Sequence, residues 1–297
     1  MTSSPLLAGV ELGGTKCICI LGRGPDDIVE TVELPTEQPD ATLAAIRAVL
    51  DRWRYDALGI ASFGPIDLDP ASATFGSLLA TPKPGWSGAD LRGLTGDRPW
   101  TIDTDVNGAA LAEGLWGAAG GLRSWAYITV GTGIGIGSIV EGRALRGLGH
   151  SEAGHMRIPA GADGWAGVCL FHGNCVEGQA SGPAIAARAG RPGAEIAADD
   201  PVWGLTADAL AALCHNLVLT TLPERILMGG GVGMGQPQLL PLIRAGLVSS
   251  LGGYGVAATL AERIDGYLVP PALGAMAGPL GALALARIAL QTDAAQS

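Results

Sequence analysis

Trp125-Ala126-Tyr127-Ile128-Thr129-Val130-Gly131-Thr132-Gly133-Ile134-Gly135-Ile136-Gly137-Ser138-Ile139-Val140 reads as two β-strands, Trp125–Val130 and Ile136–Val140, folded about the glycine turn Gly131–Gly135. The chain opens on the same pattern. There Val10–Leu12 and Cys17–Leu21 flank Gly13-Gly14-Thr15-Lys16, roughly 120 residues upstream. A strand pair with a Gly/Thr turn at the head of each half predicts two similarly built α/β domains, the alternative being coincidence between two common hairpins.

Working outward, Ile28–Leu34 reads as a third strand. Asp40 then reads as the N-cap of a helix whose apolar face is Leu43, Ile46, Val49, Leu50 and Trp53. Leu58–Phe63 is a strand stopped by Gly64-Pro65. After Thr101-Ile102 a helix starts near Asp105, with Val106, Ala110, Leu111 and Leu115 as its apolar stripe. In the second half Thr206–Leu222 reads as a helix and Arg225–Met228 as a strand running into Gly229-Gly230-Gly231. Pro237–Leu251 and Ala275–Leu290 read as further helices. The expected division is an N-terminal α/β domain over 1–117, with a C-terminal helix at 276–292 packing back on it, and a second α/β domain over 118–275.

The chain has 297 residues, 48% of them hydrophobic and 15% charged, a composition that packs rather than stays disordered. A net charge of −10 gives no field that would draw phosphate backbones or anionic lipids. Nucleic acid and membrane surfaces are therefore excluded as expected partners. The start carries no basic segment before its apolar residues, and no uninterrupted apolar run has the length of a span, so a cytoplasmic location is expected. Five cysteines make no disulfide framework. Cys17 and Cys19 lie two apart on one strand face, and with Cys214 they read as core.

His155, Cys169, His172 and Cys175 stand in the spacing H-x13-C-x2-H-x2-C. Four nitrogen and sulfur donors close a tetrahedral zinc shell and leave no place for a catalytic water, so a structural Zn²⁺ bracing the loop 155–175 is expected; the alternative is two buried thiols and two ordinary histidines. Glu152 and Glu177 flank the cluster. Held by the same clamp, each could accept hydrogen bonds from the vicinal hydroxyls of a sugar, or each could be a solvated surface carboxylate.

The turns Gly13–Lys16, Gly131–Gly135 and Gly229–Gly233 each follow a strand, where glycine lets backbone N–H groups approach anionic oxygens and threonine adds a hydroxyl. They could cradle phosphate, or be plain hairpin turns. The last two contain no G-x-G-x-x-G, and the chain has no G-x-x-x-x-G-K-[ST], so neither a Rossmann site nor a Walker loop is indicated. Asp105, at the head of a helix, sits at the positive end of the helix dipole, which suits an ionised proton acceptor. An ordinary N-cap is the alternative, and Asp103 is a competitor.

Taken in order, GGTK at 13–16, Gly64-Pro65-Ile66-Asp67, Asp105-Val106-Asn107, GTGIG at 131–135, Glu152-Ala153-Gly154-His155, the Cys/His cluster with Glu177, and Gly229–Val232 resemble the ROK sugar kinases. Glu11, Thr104, Thr81-Pro82-Lys83-Pro84-Gly85-Trp86 and the C-x2-H-x2-C loop resemble the bacterial fructokinases within that family. The resemblance implies a two-domain α/β fold of the hexokinase and actin type, ribonuclease H-like, with an interdomain cleft. It implies ATP-dependent phosphorylation of D-fructose to fructose 6-phosphate, with a broad hexokinase, glucokinase or mannokinase as the alternative. A sugar-responsive regulator of the same family is disfavoured by the short run ahead of Val10. By the same resemblance Gly13, Gly14, Thr15, Lys16, Thr132 and Gly133 would hold ATP phosphates, and Gly230 and Gly231 would line the adenosine. Glu11 would help place Mg²⁺ through water. Asp105 would be the general base; Gly64, Thr104, Glu152, His155 and Glu177 would contact the sugar, His155 also binding zinc. A homodimer is expected.

Overall fold

The computed structural model describes residues 4–159, 161 and 163–296, and the chain forms two compact units. The first is built from Met1–Gly121, Ala144–His150 and Ala275–Ser297, the second from Leu122–Arg143 and Ser151–Gly274.

In the first unit β1 (Leu7–Leu12), β2 (Lys16–Gly24), β3 (Asp27–Pro35), β4 (Ala57–Ser62) and β5 (Trp100–Thr104) form one sheet in the order β3-β2-β1-β4-β5. β1, β2 and β3 pair antiparallel through hairpins, whereas β1, β4 and β5 are parallel and joined by crossovers. The second unit repeats that arrangement. With β6 (Trp125–Val130), β7 (Ile134–Val140), β8 (Arg143–Ala144), β9 (Arg225–Gly229) and β10 (Leu268–Val269), its order is β10-β9-β6-β7-β8, antiparallel at β6–β7 and parallel at β6–β9 and β9–β10. Read from the hairpin side, the strands of both sheets run third, second, first, fourth, fifth.

The second strand of the later hairpin begins at Ile134, two residues earlier than the glycines suggest. Ile134 pairs with Val130 and is buried, so its apolar side chain draws the strand inward and shortens the turn to Gly131-Thr132-Gly133.

Helix α1 (Pro39–Leu50) starts one residue before the expected cap: Gln38 is the N-cap and Asp40 lies in the first turn, where its charge favours the helix dipole. Leu43, Ile46, Val49 and Leu50 are buried as their spacing requires, while Trp53 lies past the helix end and donates its indole N–H to Glu30 Oε2 at 2.9 Å. Helix α2 (Asp105–Trp116) buries Val106 and Ala110 of the expected stripe and packs Leu111 in part, but leaves Leu115 out and adds small residues. Its buried residues are Val106, Asn107, Gly108, Ala109, Ala110, Ala112 and Glu113, and Leu115 is exposed. The reason is the neighbour: the C-terminal helix packs directly on this small-residue face, and a Cβ on its Gly281 would strike the backbone of Gly108 and Ala109.

Beyond these lie α3 (Val176–Ala180), α4 (Gly182–Ala189), α5 (Val202–Thr220), α6 (Gly230–Gly235), α7 (Leu239–Leu251), α8 (Ala257–Glu262), α9 (Ile264–Tyr267) and α10 (Ala277–Gln296). α10 also covers β1, β4 and β5. α5 and residues 274–294 are long and apolar enough to span a bilayer by composition, yet 61% and 56% of their apolar windows are buried within the protein, which marks them as core helices. Each unit has its own core, with Leu12, Leu21, Ile46, Ile60 and Trp86 in the first and Ile128, Leu210, Leu213, Ile226 and Leu247 in the second. Cys17, Cys19 and Cys214 are core residues as expected, and burial pushes the thiols of Cys19 and Cys214 up to about 12.

Candidate active site

The end of β5 and the start of α2 carry a buried polar cluster. Thr104, not an aspartate, caps α2: its hydroxyl accepts from Asn107 N–H at 3.2 Å. Asp105 is therefore the first helical residue, and its carboxylate accepts from Val106 N–H at 2.8 Å. Asp103 is buried and fully engaged. It accepts from Thr104 N–H at 2.7 Å, Asn107 Nδ2 at 2.8 Å and Arg146 Nη2 at 2.6 Å. Burial pushes its carboxyl up, and the Arg146 guanidinium together with these hydrogen bonds pulls it back. Asp103 thus fixes the turn through three hydrogen bonds, and Asp105 is the residue that follows it at the head of α2.

Arg146 comes from the segment Ala144–His150, which belongs to this unit although it lies beyond β7 in sequence. At its far end His150 Nε2 accepts from Ile66 N–H at 3.1 Å, beside the Gly64-Pro65 bend. Thr81 Oγ1 donates to the Gly64 carbonyl at 3.4 Å, so Gly64 is held from the loop 81–86. Neither Arg146 nor His150 stands out in the sequence, where nothing local marks them.

Glu11, at the end of β1, is largely buried. Burial first and the negative charge of Asp105 second push it up to about 7, against a smaller opposite pull from Lys16. Its carboxylate has no hydrogen-bond partner among the described residues, and the glycine at 278 leaves it room. A buried carboxyl raised in part by a neighbouring carboxylate suits a divalent cation held close by. Gly13, Gly14 and Thr15 form the turn that follows. Lys16 pairs with Glu33 across the β2–β3 ladder at 2.7 Å, on an exposed face. The ammonium that reaches the turn is instead that of Lys83, whose Nζ donates to the Gly14 carbonyl at 2.5 Å.

In the second unit the turn Gly131-Thr132-Gly133 closes with Gly131 N–H donating to Gly133 O at 2.9 Å and leaves Thr132 exposed at its tip. Glu177, in the first turn of α3, accepts from Ile134 N–H through Oε2 at 3.0 Å, so close that a Cβ on Gly133 would meet the carboxylate at 2.8 Å. Its other oxygen lies 3.9 Å from His155 Nε2, and Glu152 Oε2 lies 4.0 Å from the same nitrogen. The three expected sugar ligands of this unit thus converge on one imidazole edge. Gly230, with φ of 84°, starts α6 directly after β9; its missing Cβ is required by Thr129 Oγ1 at 2.7 Å and by the Val130 backbone, and Gly231 beside it is open.

The ring of His155 offers its other nitrogen to the metal cluster. Cys169 Sγ lies 3.6 Å from His155 Nδ1 and 3.7 Å from His172 Nδ1, and Cys175 Sγ lies 3.6 Å from His155 Nδ1. All four ligand atoms fall within 4.8 Å of one another. A tetrahedron with Zn–S and Zn–N bonds of about 2.3 and 2.05 Å has S···N edges of about 3.5 Å, so the donor set fits zinc. Burial pushes the Cys175 thiol up to about 11, and a cation alongside is what would favour its thiolate.

These two constellations can be set beside known proteins. The chain is 42% identical to a protein of Bacillus subtilis described as a putative fructokinase over 294 residues, 98% of both chains. It is 38% identical to a fructokinase of Pediococcus pentosaceus, covering 96% of this chain and 99% of that one. Its structure matches that of a ROK family glucokinase from Streptomyces griseus in complex with glucose and AMPPNP with a TM-score of 0.72 at 26% identity, over 95% and 99% of the two chains. The ROK family model matches residues 7–289. Nearly the whole length being matched, with the repeated sheets and the Asp105 turn in place, this chain belongs to the ROK family.

Proposed function

We propose that this protein is an ATP-dependent fructokinase, transferring the terminal phosphoryl group of ATP to D-fructose to give fructose 6-phosphate. Full-length identity of 37–42% to several fructokinases supports the substrate. The observation that carries the chemistry is the Asp105 turn: a carboxylate on the first residue of α2, held by a capped Thr104 and an anchored Asp103.

Asp105 accepts the proton of the attacking hydroxyl as that oxygen bonds to phosphorus. A base of this kind contributes about 10²–10⁴-fold to the rate, the remainder coming from positioning and charge neutralisation around a loose transition state. Mg²⁺ entering with ATP would supply that neutralisation on the phosphates, with Glu11 placed to hold it through water. The turns at Gly13–Thr15 and Thr132-Gly133 bind phosphate oxygens with their N–H groups, while Gly230 and Gly231 let the nucleoside lie against backbone. Glu152, Glu177 and His155 Nε2 accept or share hydrogen bonds with sugar hydroxyls; Thr104 and Gly64 complete the contacts. His155, Cys169, His172 and Cys175 would hold zinc, whose role with four protein ligands is to fix the imidazole and the loop. Oε2 of Glu177 accepts from Ile134 N–H, which orients the carboxylate and leaves Oε1 the less engaged oxygen for substrate.

A site that pairs polar groups with particular hydroxyls discriminates by leaving them unpaired against the wrong epimer. Steady-state kcat/KM for fructose, glucose, mannose and N-acetylmannosamine at saturating Mg-ATP tests the proposal. Fructose is expected to lead glucose by at least about tenfold. Comparable values for all hexoses would make the enzyme a broad hexokinase, and a lead for glucose would overturn the fructose reading.

A further inference from the structure

Of the 18 basic side chains only two, Lys16 and Lys83, are lysine, and both lie at the turn between β1 and β2. Everywhere else the chain uses arginine. A compact ammonium on a flexible stem reaches where a planar guanidinium does not fit, and it serves phosphate as a point charge. Lys16 is occupied by Glu33. Lys83 has no ion pair among the described residues, and Gly14 O takes only one of its three N–H donors.

The loop that carries Lys83 is fastened on every side. Trp86 is fully buried, donates its indole N–H to Glu37 O at 2.9 Å and packs edge-on against Phe63 at 5.3 Å. Trp86 N–H donates to Lys83 O at 3.2 Å, and Lys83 N–H to Thr81 Oγ1 at 3.4 Å. The ammonium is therefore delivered by a braced turn, not by a free arm.

The turn it meets presents donors only. The carbonyls of Gly13, Gly14, Thr15 and Lys16, which would repel an anion, accept from Thr36 Oγ1, Lys83 Nζ, Thr36 N–H and Gly13 N–H respectively. The N–H groups of Gly14 and Thr15 and the Thr15 hydroxyl are exposed and meet no acceptor among the described residues. Backbone donors open to solvent, carbonyls covered and an unpaired cation alongside make a built anion site. It also lies on the reacting side of the unit, since Glu11, two residues before the turn, feels the charge of Asp105.

We propose that Lys83 binds the terminal phosphoryl group of ATP at this turn and stabilises the charge on it during transfer. This rests on the kinase reading and adds to it a cation from outside the glycine motifs. The test uses the zinc-loaded enzyme with Lys83→Met, which keeps the length of the stem, and Lys83→Arg, which keeps the charge. Melting temperature, kcat, both KM values, and calorimetric affinities for ADP and for a non-hydrolysable β,γ-imido ATP analogue are measured. Lys83→Met is expected to lose about 30-fold or more in kcat/KM for ATP, with the KM for sugar and the melting temperature nearly unchanged. Its affinity for the imido analogue falls further than its affinity for ADP, and Lys83→Arg recovers part of both. Retention of kcat/KM and analogue affinity within about threefold of wild type overturns the proposal, as does a loss that falls equally on sugar KM and melting temperature, which marks a purely structural lysine. Should the wild type phosphorylate no hexose, the kinase reading fails while the analogue-against-ADP comparison still decides on Lys83.

Discussion

The β1–β2 and β6–β7 hairpins occupy the same place in sheets of the same strand order, and each turns through Gly and Thr, yet their surroundings carry opposite charge. The first turn has an ammonium on its Gly14 carbonyl and its other carbonyls capped by Thr36 or within the turn. The second is buttressed by helices: Gly182 N–H donates to Gly131 O at 2.7 Å, and the carboxylate of Glu177 takes Ile134 N–H at 3.0 Å. A duplicated backbone has thus been fitted for two tasks. The cationic version suits a phosphoryl group, and the anionic version ties the turn to Glu177 and, through His155, to the metal cluster. Symmetry of fold does not carry over into symmetry of chemistry.

The sharpest way to break that division is at the proton acceptor. Asp105→Asn keeps the shape and removes the base, so kcat should fall by about 10²–10⁴-fold while sugar affinity stays near wild type. Stopped assays with fructose and Mg-ATP measure it. A variant retaining more than about a tenth of kcat would show that the chemistry does not reside at the head of α2.

Next in size is the metal cluster, which tests the second unit alone. One zinc per chain is expected by elemental analysis, and Cys175→Ser should lower metal content, melting temperature and sugar affinity together, because the same imidazole that would bind zinc through Nδ1 presents Nε2 between Glu152 and Glu177. Were sugar KM unaffected in a zinc-free variant, the clamp would be separate from substrate binding.

How far the molecule is readable from its sequence follows the range of each interaction. The Cys/His cluster is legible because Cys169, His172 and Cys175 lie within one loop, and spacing alone brings them together. The two sheets are legible because each starts from a local hairpin. Arg146 and Lys83 are not. They meet their partners across 43 and 69 residues, and no period or motif announces a contact that depends on how a loop is braced. The buried face of α2 keeps Val106 and Ala110 but extends over glycine and alanine and leaves Leu115 exposed for a related reason: a close-packed helix neighbour selects small residues. Lys83 is marked in sequence by its place in the Thr81–Trp86 stretch and by the scarcity of lysine, though neither names its partner.

A third variant asks whether the Asp105 turn depends on its distant anchor. Arg146→Ala leaves the buried Asp103 without its cation. Losing one partner of a buried pair costs about 3–5 kcal/mol, and the half-exposed guanidinium brings the expectation nearer to about 2 kcal/mol. Asp103 has a raised carboxyl already, so removing Arg146 raises it further. An acid whose folded value is raised is penalised as pH rises, which means the melting-temperature gap between wild type and Arg146→Ala should widen from pH 5 to pH 8. Lys at the same position should restore most of the stability. A gap independent of pH would mean that Arg146 acts through packing and not through charge.

The smallest effect expected is at Glu11, and it separates the electrostatics of the first turn from its geometry. The carboxyl is raised from 4.5 to about 7, so between those values the folded protein holds a proton that the unfolded chain has released. Stability from this group is complete below about pH 4.5, declines as pH rises, and is lost above about pH 7 in the free enzyme. A tenfold change in proton affinity corresponds to about 1.4 kcal/mol, which bounds the whole effect at about 3 kcal/mol, most of it from burial and the rest from the charge of Asp105. Glu11→Gln, neutral throughout, should therefore match wild type near pH 5 and exceed it in melting temperature near pH 8 by a few degrees. Mg-ATP should narrow that difference, since a cation beside the carboxylate favours its charged form. If the two proteins melt in parallel across the range, Glu11 is not the strained acid of the first turn.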